Sequence, residues 1–84
     1  MNENARIKSE TLKAPMQAVV HQLNVAVGDV VAANAELVVL EAMKMEHALK
    51  AGISGVVTAV SCEAGQQVKS KQLLATIEGE QSDD

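Results

Sequence analysis

Met16–Glu41 reads MQAVVHQLNVAVGDVVAANAELVVLE, and Ile53–Glu78 reads ISGVVTAVSCEAGQQVKSKQLLATIE; a shift of 37 residues lays one on the other without a gap. Identities fall at Val19/Val56, Val20/Val57, Gly28/Gly65, Val31/Val68, Leu37/Leu74 and Glu41/Glu78, with conservative pairs at Met16/Ile53, Leu23/Val60 and Leu40/Ile77. The pattern describes a duplicated unit of strand, glycine turn, short strand and strand. Neither copy can bury its apolar face alone, so the two are expected to pack face to face about a pseudo-twofold axis. Gly28 and Gly65 then occupy equivalent turns, where a positive φ costs glycine little. Glu36 and Gln67 break the match, so the symmetry is approximate.

Composition supports strands throughout. Twelve Val, three Ile and three Thr among 84 residues supply side chains that are stiff at χ1 and suit a pleated surface. Apolar residues alternate in Ala18–Leu23 and Val56–Val60, and Gly28, Gly52, Gly55, Gly65, Pro15, Asn34 and Asp29 cut the chain into short pieces. Thirteen Ala favour helices in isolation, but no long window has helical periodicity with caps at both ends. The expected fold is all-β, with one domain over residues 11–78, a flexible tail over 1–10 and a flexible acidic tail over 79–84.

The same composition removes several function classes. With no Phe, Tyr or Trp and a net charge of −4, the chain lacks both stacking platforms and phosphate-binding charge, so no nucleic-acid partner is expected. Apolar runs stop at four residues, as in Leu37–Leu40, too short for a membrane span. Residues 1–12 contain no secretory hydrophobic region, and Cys62 has no second cysteine to pair with, which fits a reducing, cytoplasmic location. Cys62 falls on Val25 in the repeat and reads as a small core residue. His21, His47 and Cys62 form no metal-spaced cluster and no credible triad, so no metal site and no catalytic residue is expected.

What joins the repeats is Ala42–Gly52, expected to form a tight hairpin at Ala42-Met43-Lys44-Met45 with arms Leu37–Glu41 and Glu46–Lys50. Turn chemistry favours Asn, Gly, Asp or Ser at such a tip. Two methionines there instead offer an adaptable surface for another protein to grip. Lys44 between them presents an amine on a long stem, which becomes a nucleophile once a visiting enzyme removes its proton. Glu41 and Glu46 flank the tip, as solvated charges or as contacts for a basic partner.

The hexapeptide Glu41-Ala42-Met43-Lys44-Met45-Glu46 resembles the attachment motif of the biotin carboxyl carrier (biotinyl) domain family. Ala14-Pro15-Met16, Val27-Gly28-Asp29-Val30-Val31, Ser54-Gly55-Val56-Val57 and Ala64-Gly65-Gln66-Gln67-Val68 are similar to further family elements in the same order, and the resemblance spans Leu12–Glu78. It implies a flattened β-barrel of two four-stranded antiparallel sheets with the modified lysine at a hairpin tip. Ala18, Asn34 and Lys71 depart from family glycines, and no insertion between Val20 and Val27 provides the thumb loop of some carriers.

By that resemblance, a biotin protein ligase would join biotin to Lys44 as an amide, with Met43 and Met45 tuning recognition and Ala42, Glu41 and Glu46 contributing more weakly. Biotin carboxylase would load the tethered cofactor, and a carboxyltransferase would pass the carboxyl group to an acyl-CoA, 2-oxo acid or urea-type acceptor. The carrier itself would catalyse nothing. His47, just past the motif, could touch the cofactor. A lipoyl carrier of a 2-oxo acid dehydrogenase complex and an unmodified interaction barrel are the alternatives; Met43 and Met45 stand against the former.

Overall fold

The computed structural model describes residues 7–80. Eight strands follow one another: β1 (Ile7–Lys13), β2 (Ala18–Leu23), β3 (Val30–Val31), β4 (Glu36–Ala42), β5 (Met45–Lys50), β6 (Gly55–Val60), β7 (Gln67–Val68) and β8 (Leu73–Glu80). They form two four-stranded antiparallel sheets, ordered β1-β8-β6-β3 and β5-β4-β2-β7. Exchanging β1 with β5, β2 with β6, β3 with β7 and β4 with β8 converts one order into the other.

The symmetry extends to individual pairings. Val19 faces Glu41 and Val20 faces Leu40, while Val56 faces Glu78 and Val57 faces Ile77. Each central pair slips at the same place, between Val20 and Gln22 and between Val57 and Ala59. Bulges of this kind tighten the local twist and help a small sheet curl. Turn hydrogen bonds repeat too: Gly28 N–H donates to Val57 O at 2.8 Å, and Gly65 N–H to Val20 O at 2.7 Å. The left-handed positions come in matched pairs, Gly28 with Gly65 (φ 97° and 87°) and Asn34 with Lys71 (φ 75° and 70°). The β2–β3 connection is as long as the β6–β7 connection, so no thumb protrudes from it.

The core lies between the sheets and is aliphatic. Leu37, Leu40, Leu74, Ile77, Val20, Val38, Val57 and Val68 are its largest fully buried side chains. Val25 and Cys62 occupy equivalent buried positions, as their alignment in the repeat requires. Among the described residues no polar or charged side chain is buried. Ala18, at a departure from family glycine, is buried against β7 with room for its methyl group.

Two boundaries move. Residues 7–10, assigned to a flexible tail, belong to β1, where Ile7 faces Glu80 and Lys8 faces Gly79; the second tail likewise loses Gly79 and Glu80 to β8. The physical reason is the symmetry: β1 covers β8 as β5 covers β4, and without it one sheet would lack a strand. The rest of both expected tails, 1–6 and 81–84, lies outside the described residues. No helix among the described residues is long and apolar enough to cross a membrane.

Candidate functional site

β4 and β5 meet in a hairpin whose loop is only Met43 and Lys44, one residue tighter at each side than the expected four-residue tip. Ala42 faces Met45 as the closing pair. Met43 and Lys44 both lie in the left-handed region, at φ 53° and 66°. Two consecutive left-handed residues give the turn whose twist matches the flanking strands, and Asn-Gly is its usual occupant. A side chain in that conformation costs roughly 1–2 kcal/mol. The sequence therefore holds Met-Lys at its apex against local preference, and the strain has a counterpart only in what the side chains present.

What they present is exposed. Met43 is 92% and Met45 62% accessible, although both are large apolar groups. Lys44 is exposed between them and enters no ion pair with any described residue. Ala42 is buried and anchors the loop on the barrel, and neither Glu41 nor Glu46 is covered. Geometry thus brings Ala42, Met43, Lys44 and Met45 together at one tip, with the two glutamates directly behind.

Glu41 and Glu46 face each other across the β4–β5 ladder, a like-charge arrangement that weakens a sheet. His21 stands beside this pair: from the β2 bulge its Nε2 lies 3.3 Å from Glu46 Oε2, spanning β4 on the outer face of the sheet. This contact was not legible, because His21 and Glu46 stand far apart in sequence and meet only through the bulge. His47 faces Leu40 and is half-buried, so it belongs to the barrel wall behind the tip. Cys62 is free and buried, and burial pushes its thiol above the ordinary range. Among the described residues no group of His, Cys, Asp and Glu is placed to hold a metal ion.

The tip thus holds a solvent-facing lysine in a left-handed conformation at one end of a two-sheet barrel. The Lys44 amine pairs with no described residue and stands open between two exposed methionines. The family described as "Biotin-requiring enzyme" matches residues 10–77. The chain is 43% identical over 70 residues to the mitochondrial propionyl-CoA carboxylase alpha chain of Homo sapiens, covering 83% of this chain and 10% of that one. It is 42% identical over 69 residues to the biotin carboxyl carrier protein of Streptococcus mutans, covering 82% and 53%. The solved structure of Kluyveromyces lactis urea carboxylase superposes with a TM-score of 0.75 at 30% identity, over 92% of this chain and 7% of that one. The chain spans from a tenth to about half of the length of these two curated relatives. The chain belongs to the biotin-requiring family, as a non-catalytic carrier domain whose cofactor is covalently held biotin.

Proposed function

We propose that Lys44 is the residue biotinylated, and that the domain ferries a carboxyl group between the biotin carboxylase and carboxyltransferase activities of a biotin-dependent carboxylase. The exposed, strained Met43-Lys44 apex carries this reading. A biotin protein ligase would take one proton from the Lys44 ammonium; its Nζ then attacks an acyl-adenylate, the amide bond forms, the acyl–phosphate bond breaks and AMP leaves. Met43 and Met45 give that ligase an apolar grip on either side of the amine. Ala42 ties the loop to the core, so the amine is offered from a fixed base.

Bound biotin supplies a ureido nitrogen that can hold a carboxyl group, chemistry no side chain here provides. The barrel's part is to keep that group near both catalysts at high effective concentration. An acyl-CoA acceptor is supported by the propionyl-CoA carboxylase relative and a urea-type one by the urea carboxylase structure; a 2-oxo acid is the third class. The unpaired Cys62 suits the cytoplasm. Intact-mass analysis after co-expression with a biotin protein ligase is expected to show one biotin per chain, absent in Lys44→Arg. A lipoyl adduct, or a biotin adduct that survives Lys44→Arg, would overturn the assignment.

A further inference from the structure

The duplicated architecture supplies its own internal control: positions needed for folding should match between halves, and mismatches in polar chemistry point elsewhere. One such mismatch is a shallow cleft of about 510 Å³ lined by Gln17, Gln67, Lys69 and Ser70. Their equivalents in the other half, at the shift of 37, are Ser54, Val30, Ala32 and Ala33. The same backbone thus carries two carboxamides, an ammonium and a hydroxyl on one side, and two alanines, an exposed valine and one serine on the other. That serine is occupied, since its Oγ accepts from Ala33 N–H at 3.0 Å.

Position distinguishes the cleft as well. Val19 faces both Glu41 and Gln67, and Ala18 faces Val68. Extending that register puts Gln17 beside Met43, and Lys69 beside Gln17. The alternation along β2 and β7 turns Gln17, Val19, Gln67 and Lys69 to the outer face of the sheet. The turn that follows β7 is held firmly: Lys69 N–H donates to Gln72 Oε1 at 2.9 Å and Lys71 N–H to Ala14 O at 2.7 Å. The cleft lies one to two strand spacings from the hairpin apex, roughly 5–10 Å. A lysine stem with an acyl chain joined to it spans that gap.

The structure assigns this cleft as a resting site for the ureido head of the group carried on Lys44, an inference that rests on the biotin reading above. A cyclic urea presents one carbonyl oxygen and two N–H donors. The Lys69 ammonium and Ser70 hydroxyl can donate to the first, and the Gln17 and Gln67 carbonyl oxygens can accept from the second. Affinity need not be high. A short tether confers an effective concentration of about a millimolar, so a millimolar intrinsic dissociation constant fills the site about half the time. Resting there keeps the head against the barrel between visits, while leaving release fast.

The test uses backbone amide NMR of the full chain, with intact mass recorded on the same samples. Biotinylated protein is expected to show shift changes at Gln17, Gln67, Lys69 and Ser70 as well as at 42–46, relative to the unmodified chain. The double variant Gln67→Ala, Lys69→Ala should retain the changes at 42–46 and lose the distant ones, and streptavidin should capture it about twofold faster. Separately, 2-imidazolidinone titrated at millimolar concentration into unmodified protein should shift the same four amides. Changes confined to the hairpin in fully biotinylated protein, or imidazolidinone shifts equally strong at Val30, Ala32, Ala33 and Ser54, would overturn the resting site while leaving Lys44 as the attachment point. Absence of any mass gain would instead overturn the biotin reading, and the imidazolidinone titration would still decide whether the cleft binds a cyclic urea.

Discussion

The hairpin corner and its symmetry mate are built from the same strands in the same register, yet they do different things. At one, β4 passes into β5 through Met43 and Lys44; at the other, β8 ends beside the start of β1, with Glu80 facing Ile7. Ala18 and Ala42 line the first corner. The second has Gly55 and Gly79, where an added Cβ would collide with the backbone carbonyls of Glu78 and Ser54. The closed corner packs more tightly at its backbone, and the hairpin corner spends its side chains on exposure. Folding therefore accounts for the barrel and the register but not for the amine. The proposed attachment site falls at the corner where the two halves differ.

The sharpest break in that comparison is Lys44→Arg, which keeps the charge and the turn but removes the acylable amine. Biotin incorporation by ligase, read by intact mass, is expected to fall to zero while the urea-unfolding midpoint stays within error. Next come the paired core positions. Leu37→Ala and Leu74→Ala, both fully buried and symmetry-equivalent, should each cost about 2–5 kcal/mol by urea unfolding. Their costs should agree within about 1 kcal/mol; a larger gap would mean the halves are not energetically equivalent.

Met43→Asn separates stability from display. Asn tolerates the left-handed conformation, so the variant should gain up to about 1 kcal/mol in urea unfolding. It should also lower the ligase kcat/KM for the carrier, because one apolar flank is gone. The smallest effect is expected from His21→Gln. The His21–Glu46 pair is solvent-exposed on both sides, and such pairs contribute no more than about 1 kcal/mol; a loss beyond that in thermal unfolding would show that His21 also offsets the Glu41–Glu46 repulsion.

The barrel and the position of the hairpin were legible because apolar alternation and the Gly28/Gly65 turns repeat at one spacing. β1 was missed, although the spacing held the signal: Leu12-Lys13-Ala14 recurs as Leu49-Lys50-Ala51 at the same shift of 37. The long gapless match begins only at Met16, and the polar run before Leu12 disguises an outer strand. The left-handed pair at Met43 and Lys44 was hidden for a different reason. Neither residue prefers that conformation, and a conflict between local preference and fold is what a functional site leaves behind. The cleft at Gln17 and Lys69 was illegible because its walls come from opposite ends of the sequence and meet only through β2–β7 pairing.

The pairing of β1 with β8 has a mechanical consequence. β5 runs away from the apex, and just beyond it Gly52 N–H bonds to Glu10 Oε1 at 2.6 Å, with Ile7 farther out along β1. Ile7 and Glu80 thus lie side by side at the pole opposite Lys44. The amine is therefore about one barrel length, roughly 20 Å of strand, away from that pole, so for any given rotation about the Ile7–Glu80 end it is displaced farther than the rest of the described body.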